Sequence, residues 1–288
     1  MKNHTQTILS SYSCSLGVFL YPNENDGPES TMERLCDLLF ELSNEDRLKI
    51  LDELRKENLK LSHISQRLNF TAQETSRNIA RLVDAKLVTR TTDGSYEISP
   101  YGIQAMRLIP AYQFLSINRN YFYEHSLENL PDKFVSRIGE LNGCKPITQL
   151  LDVFGNIERV FKEAEEYYLY IGEPLGLSST LLLVAEALDR GVKARGIEPI
   201  DYEWPDEIRE SVPKETWLKI AEHKTQGSLR QKYQKKFDIT FLMNEKEVAT
   251  LNFLNPGGEF EYFGFTSTDR KAVEWCKDLF EYYWEKVE

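Results

Sequence analysis

Four histidines and four cysteines are all that this 288-residue chain offers for metal or redox chemistry, and neither set is grouped. Cys14, Cys36, Cys144 and Cys276 contain no Cys-x-x-Cys pair, and four cysteines in this length make no disulfide framework, so a reducing cytoplasm is the expected compartment. Cys36 reads as a small core residue. His4, His63, His125 and His223 are too scattered in sequence to define a metal or catalytic cluster. His125, which follows an aromatic cluster, reads as a hydrogen-bonded structural residue. Phosphate-cradling glycine loops are missing as well, because neither Gly-x-Gly-x-x-Gly nor Gly-x-x-x-x-Gly-Lys-Ser/Thr occurs. Gly172-Glu-Pro-Leu-Gly176 sits between a strand and a helix, where a ligand can meet a helix N-terminus. Its spacing is not diagnostic, and a plain β-α turn accounts for it. The His-x-Lys of a phospholipase D nucleophile fails too, since His223 and Lys224 are adjacent.

No run approaches the roughly 18–20 apolar residues that span a bilayer. Cys14 to Tyr21 is apolar but short, and the residues before it are rich in Ser, Thr and Gln, which argues against a signal peptide. These absences lead to the expectation of a chain that is not an enzyme, with no catalytic residues, no metal, no cofactor and no membrane partner.

What is present is an ordinary globular composition, with 41% hydrophobic and 28% charged residues and a net charge of −11. The length suits two domains. A chain this acidic does not coat nucleic acid or membrane indiscriminately, but the charge is unevenly placed. Residues 31–110 hold twelve basic and twelve acidic residues, and five of the basic ones fall between Arg67 and Arg90 against only Glu74 and Asp84. A locally basic segment on an acidic body confines phosphate attraction to one face.

That segment has a specific pattern. Leu61 to Asn69 places Leu61, Ile64 and Leu68 on one side of a short helix. Thr71-Ala-Gln-Glu74 then has the form of a capping box, in which the threonine hydroxyl and the glutamate satisfy backbone donors at a helix start. The helix it opens runs to about Lys86, with Ala72, Ile79, Leu82 and Val83 on the buried side and Gln73, Arg77 and Arg81 on the opposite side. Leu87 to Ser99 reads as two β-rich runs joined through Asp93-Gly94, a pair that tolerates positive φ in a tight hairpin. Helix, short turn, longer helix and hairpin in this order make a winged helix-turn-helix. Arg can read guanine with two hydrogen bonds and Gln can read adenine, so the expected DNA-binding residues are Thr71, Gln73, Arg77, Asn78, Arg81 and Arg90, with Arg90 as a phosphate contact.

Around this reader the chain divides as follows. Residues 1–30 are polar and lack periodicity, and are expected to be a flexible extension; Met32 sits just before the first helix and is a candidate start of the native protein. Residues 31–100 form the DNA-binding domain, with frame helices from Glu33 to Leu42 and from a Ser43 cap through Leu54. Residues 101–145 form a helical connector that Pro110 is expected to kink or split. Its apolar stretch from Ile103 to Phe122, with the helix from Glu33 to Leu42, is the candidate dimer interface. Residues 146–288 alternate helices and strands. Tyr167–Ile171 and Val192–Ile197 flank a helix, which implies a parallel pair. A polar helical region from Asp206 to about His223 follows. Phe237–Met243, Val248–Leu254 and Phe260–Phe265 then read as an antiparallel meander, and Thr268 to Val287 is a closing helix. The fold class expected is α+β in two domains: a mainly helical winged helix-turn-helix with a β wing, a helical connector, and an α/β domain with a mixed sheet.

Tyr121-Phe-Tyr-Glu-His125, Leu130-Pro-Asp-Lys-Phe134 and Arg137-Ile-Gly-Glu-Leu141, together with Gly264-Phe-Thr-Ser-Thr-Asp-Arg270, Trp275 and Asp278-Leu-Phe-Glu-Tyr-Tyr-Trp284, resemble archaeal transcription regulators that carry a methanogenesis-regulator middle domain after an ArsR-like winged helix. The resemblance spans about residues 32–288. It implies an archaeal source, a regulatory role and a sensing domain similar to half of a phospholipase D-type fold, and it carries no ligand-contact motif.

The function expected is therefore a cytoplasmic, sequence-specific regulator that binds double-stranded DNA, forms a homodimer and takes a small-molecule effector in its C-terminal domain. Ligands of open α/β sheets bind beyond the carboxyl ends of parallel strands, which nominates Tyr170, Glu173, Arg195 and Trp204, with Trp217 nearby. The alternative is a small-molecule binder or enzyme whose winged helix docks on protein; that version favours apolar residues where Gln73, Arg77 and Arg81 stand.

Overall fold

A computed structural model describes residues 31–173 and 177–287. The expected N-terminal extension falls outside the described residues. The fold is α+β, in two compact units that divide between Met106 and Arg107.

The first unit opens with α1 (Thr31–Leu42) and α2 (Glu45–Leu54). Asn44, not Ser43, caps α2: its side chain accepts the Arg47 N–H at 3.0 Å, while the Ser43 hydroxyl turns back to the Phe40 carbonyl. Helix α3 (Leu61–Leu68) ends at Asn69, whose φ of 54° is left-handed and lets the chain reverse into α4 (Ala72–Asp84). The Ser65 hydroxyl on α3 donates to Thr75 on α4 at 2.9 Å, fixing the two helices. Thr75, Asn78, Ile79 and Leu82 form the buried stripe of α4 against Ile50, Leu51 and Ile64. The wing is β1 (Val88–Arg90) and β2 (Tyr96–Ile98), antiparallel, with Leu59 bridging to Tyr96. Gly94 in the connecting turn has φ 81°, and Asp93 is held down to about 2 by hydrogen bonds from the Thr91 and Ser95 hydroxyls. The Ser99 hydroxyl accepts the Gly102 N–H and starts α5 (Pro100–Ile117). Pro110 does not split α5: the helix continues through it, one turn past the boundary between the units.

The second unit is built on a seven-stranded sheet. Its strands are β3 (Lys145–Pro146), β4 (Tyr167–Ile171), β5 (Lys193–Pro199), β6 (Leu229–Gln234), β7 (Ile239–Asn244), β8 (Val248–Phe253) and β9 (Phe265–Ser267), in the order β3-β9-β8-β7-β4-β5-β6. Strands β4, β5 and β6 run parallel and the remaining pairings are antiparallel, so the sheet is mixed. Strand β6 lies within a stretch with no expected element, and the third meander strand is Phe265–Ser267 rather than Phe260–Phe265. Helix α8 (Leu150–Glu163) and α9 (Ser178–Asp189) cover one face, where Val153, Ile157, Val160 and Leu188 meet Tyr168, Ala194 and Leu242.

The other face is covered by α12 (Arg270–Lys286) and by residues read from the sequence as connector. The latter lie on the end of α5, on α6 (Arg119–Glu124) and α7 (Asp132–Val135), and on a 3-10 turn at Ile138–Gly143. Phe114, Phe134, Ile138 and Leu141 pack there with Trp275, Leu279 and Phe280. The two blocks behind the family resemblance meet in this core. Trp275 Nε1 donates to the Phe134 carbonyl at 3.3 Å, and the Tyr121 hydroxyl accepts the Phe253 N–H at 3.0 Å. His125 stacks on Tyr121 at 3.8 Å with Nδ1 2.8 Å from the Tyr121 carbonyl, and its Nε2 is buried without a partner among the described residues. Cys276 is buried in the same core, and burial pushes the Cys144 thiol up to about 12, so neither is poised as a nucleophile.

Candidate functional site

In the first unit the expected capping box is formed. The Thr71 hydroxyl accepts the Glu74 N–H at 3.2 Å, and the Glu74 carboxylate takes the Thr71 N–H at 2.9 Å and its hydroxyl at 2.8 Å. Gln73, Ser76, Arg77 and Ala80 are exposed beyond it, and Arg77 has no ion pair among the described residues. Arg90 lies in the wing, also unpaired, with its guanidinium 5.9 Å from the centre of the Tyr96 ring.

Two of the expected DNA-contact residues are placed elsewhere. Asn78 is 4% exposed and belongs to the buried stripe, because it stands three residues after Thr75 and four before Leu82, on the same helix face. Arg81 is exposed, but it forms a two-pronged bond to Glu41, Nη2–Oε1 2.5 Å and Nε–Oε2 3.2 Å, and lies over the Phe40 ring at 5.0 Å. Each residue advances about 100° around a helix, so Arg81 stands about 80° from Gln73, far enough to leave the outward face for the flank where α1 ends. Arg67 is likewise neutralised by Glu53 and Glu57. Of the five basic residues between positions 67 and 90, Arg77, Lys86 and Arg90 remain without an ion pair among the described residues.

In the second unit a cavity of about 1210 Å³ opens at the carboxyl ends of β4 and β5. Tyr170, Glu173 and Trp204 line it together, as the strand-end argument expects, and Arg195 does not. Arg195 pairs in register with Leu169, so it shares that residue's side of the sheet, away from Tyr170. There it forks onto Glu281 at 2.8 and 2.5 Å, 5.1 Å from the centre of the Phe280 ring.

The floor of the cavity is a polar stripe across the sheet. The Tyr170 hydroxyl and Gln231 Nε2 both donate to Glu198 Oε1, and Gln231 also reaches the Tyr170 hydroxyl at 3.1 Å. Glu198 Oε2 has no partner among the described residues. Burial raises the Glu198 carboxyl above the usual range, with the two donors pulling the other way, and burial raises the Tyr170 hydroxyl. Further along, Asn252 Nδ2 donates to Thr250 at 2.9 Å and to Thr240 at 3.3 Å.

Tyr170 packs against Gly196, where a Cβ would come within 2.0 Å of the tyrosine Cζ, so glycine on β5 is what admits the tyrosine to the floor. After the short α10 (Asp206–Ser211), one wall comes from α11 (Lys214–Gln226), whose Trp217, Ile220, Ala221 and Lys224 recur at helical spacing. Tyr202 and Trp204 come from the loop after β5. Glu198, Gln231, Tyr202, Thr240 and Asn252 were not among the expected residues. Glu198 follows Ile197 at the strand end and was within reach of the same argument; Gln231 was hidden because β6 was.

Among the described residues no cluster of His, Cys, Asp and Glu could hold a metal ion, and no helix is long and apolar enough to cross a membrane. No family model matches the chain, and no curated protein does. Among solved structures it is similar to TrmBL2, an archaeal chromatin protein whose structure shows a novel mode of DNA binding, at TM-score 0.38 and 16% identity over 90% of this chain and 99% of that one. It is similar to Nuc, a phospholipase D family member from Salmonella typhimurium, at TM-score 0.32 and 10% identity over 46% of this chain and 86% of that one. It is similar to PigF with SAH at TM-score 0.23 and 14% identity over 71% of this chain and 61% of that one. At these TM-scores none of the three likenesses bears on what the chain does.

Proposed function

We propose that this protein is a sequence-specific DNA-binding transcription regulator that acts as a homodimer and takes a small-molecule effector in the cavity of its second unit. The observation that carries the reading is the outward face of α4, where Gln73, Ser76 and Arg77 stand unpaired beside a capped helix start, with Arg90 on the wing. Hydrogen-bonding side chains at the first turns of the second helix are what a major groove needs, and the unpaired Arg77, Lys86 and Arg90 supply phosphate attraction. The family resemblance of the 121–141 and 264–284 blocks agrees with it. Dimer formation is supported by large apolar side chains left exposed on α1 (Leu35, Leu39, Phe40) and on α5 (Leu108, Tyr112, Ile117). The cavity supports an effector because it combines aromatic walls with a few oriented polar groups.

The test is selection of duplex DNA from a random pool by the full chain, followed by titration of the enriched sequence. Enrichment of a motif with half-sites about 10–10.5 bp apart, or multiples of that, is expected of a two-fold dimer. Arg77→Ala is expected to cost about 1–3 kcal/mol and relax selectivity at one position, whereas Arg90→Ala weakens all sequences alike and makes the salt slope shallower by about one unit. An unenriched pool, or an Arg77→Ala/Arg90→Ala double variant that binds like the parent, overturns the reading.

A further inference from the structure

Three aromatic rings line one corner of the cavity and meet at steep angles. Tyr202 and Trp204 lie 5.4 Å apart at 80°, and Trp204 and Trp217 lie 5.6 Å apart at 68°. Neither tryptophan belongs to the two buried cores of this unit, and both are only half-buried, so packing alone does not account for them. A flat ligand such as a sugar or a nucleobase is served by one broad face or by two parallel ones. Faces that meet near a right angle leave a corner that a compact, roughly spherical group fills while touching both. The face of each ring is the negative pole of its quadrupole, so a corner of faces favours positive charge.

Lys224, Lys235 and Lys236 are in the cavity lining, but the carboxylates whose charges reach the corner at Tyr202, Glu173 and Glu198, carry the matching sign. Glu173 and Glu198 both line the cavity, and their charges add to burial in raising the Tyr202 hydroxyl. Glu198 receives both of its hydrogen bonds on Oε1, which leaves Oε2 as an open acceptor in a largely desolvated site. The cation whose charge bears on Glu198 is Lys224, and its ammonium is already directed to the Tyr233 hydroxyl at 2.8 Å. Two carboxylates beside an aromatic corner, one with a free oxygen, form an incomplete charge balance.

The geometry points to a methylated ammonium ion as the occupant: an alkylammonium group seated in the corner of Tyr202, Trp204 and Trp217, with Glu198 and Glu173 as its counter-charges. This rests on the reading of the cavity as the effector site and names the chemistry of that effector. The methyl groups replace water against the rings, and the charge is balanced by the Glu198 carboxylate, which the fold already holds largely out of water, and by the exposed Glu173 at the rim.

The experiment titrates the full chain with choline chloride and tetramethylammonium chloride, following quenching of tryptophan fluorescence and heat of binding. Sodium chloride at equal ionic strength, sucrose, and 3,3-dimethylbutan-1-ol, the uncharged isostere of choline, are the comparison probes. Saturable binding of choline is expected, with the isostere at least tenfold weaker. Trp204→Leu, Trp217→Leu and Glu198→Gln are each expected to weaken choline at least tenfold. Trp204→Phe, which keeps a ring face, stays within a few fold of the parent, and Arg195→Gln, on the far side of the sheet, leaves binding unchanged. Circular dichroism verifies that each variant is folded. Equal binding of choline and its isostere overturns the inference, as does undiminished binding by Trp204→Leu or by Glu198→Gln. No saturable signal with either ammonium ion at tens of millimolar overturns it as well. A saturable response to sucrose alone overturns the inference and leaves the effector reading standing, whereas silence with every probe and with a broad metabolite panel removes both.

Discussion

Glu41→Gln tests how the first unit is held together. Arg47 is 6% exposed, and its guanidinium has three acceptors: Glu41 Oε2 at 3.0 Å, the Glu41 carbonyl at 2.8 Å and the Phe40 carbonyl at 2.7 Å. Arg81 completes the cluster from α4. Glutamine keeps the shape of the side chain and removes its charge, which leaves a buried guanidinium facing neutral acceptors only. Removing one partner of a buried ion pair costs about 3–5 kcal/mol, and the two remaining carbonyls put this case at the lower end, about 3 kcal/mol. For a unit of this size each kcal/mol moves the midpoint by about 4–8 °C, so a drop of roughly 12–24 °C is expected. All four tryptophans lie between residues 204 and 284, in the second unit. Far-UV circular dichroism therefore reports the helical first unit along with the second, while tryptophan fluorescence reports the second alone and serves as the internal control.

The hydrogen bond from Arg81, followed by the charges of Arg47 and Arg81, holds the Glu41 carboxyl below its ordinary value against the opposing effect of burial. A depressed carboxyl contributes stability that is present above its unfolded value of about 4.5 and is lost as pH falls through the folded value. The parent is thus expected to lose stability in that acid window, and Glu41→Gln to lack this part of the pH dependence. A variant whose circular dichroism midpoint falls by less than about 4 °C, the lower limit for 1 kcal/mol, refutes the argument.

Glu198→Gln is expected to act in the opposite direction on the second unit. A carboxyl raised by burial costs stability once pH rises past its unfolded value, so the variant is more stable than the parent at neutral pH and equal to it in acid, as followed by tryptophan fluorescence. A variant that is less stable at pH 7 contradicts the assignment. Gly196→Val drives its side chain into Tyr170, with a cost of about 1–3 kcal/mol for overpacking and loss of the Tyr170–Glu198 bond; an unchanged urea midpoint and unchanged near-UV signal count against the packing described. Thr71→Ala removes the acceptor for the Glu74 N–H and is expected to destabilise the first unit by about 1 kcal/mol, seen in its circular dichroism midpoint.

What could be read from the residues follows the sequence distance of the interactions concerned. The capping box at Thr71 and Glu74 spans three residues and was legible in full. So was the parallel pair of β4 and β5, since each strand carries its own apolar run between turn signals. The sequence places Arg81 on the outward face because its partner Glu41 lies 40 residues away, and nothing local announces it. The sequence groups Arg195 with Tyr170 for a related reason: each strand is legible on its own, but which residue faces which side depends on a register that only the paired sheet supplies. Strand β6 was hidden because Leu-Arg-Gln-Lys-Tyr-Gln has the polarity of a loop, which is how a strand reads when one of its edges meets solvent. Losing β6 also lost Gln231 from the cavity floor. Pro110 shows the converse: a strong local helix-breaker was outweighed, and α5 runs on to place Phe114 in the core of the second unit.

The two margins of the seven-stranded sheet have a bearing on how the protein behaves at high concentration. One margin is β3, only two residues long and ending in Pro146, which has no N–H to offer; the other is β6, which carries Arg230 and Lys232. Neither presents a long, flat, apolar template, so addition of a strand from another molecule is disfavoured at both ends. Runaway fibril growth through the native sheet is blocked by the same residues that conceal β6 in the sequence. Self-association is left to the helical surfaces, where contacts between side chains can close on a finite number of copies.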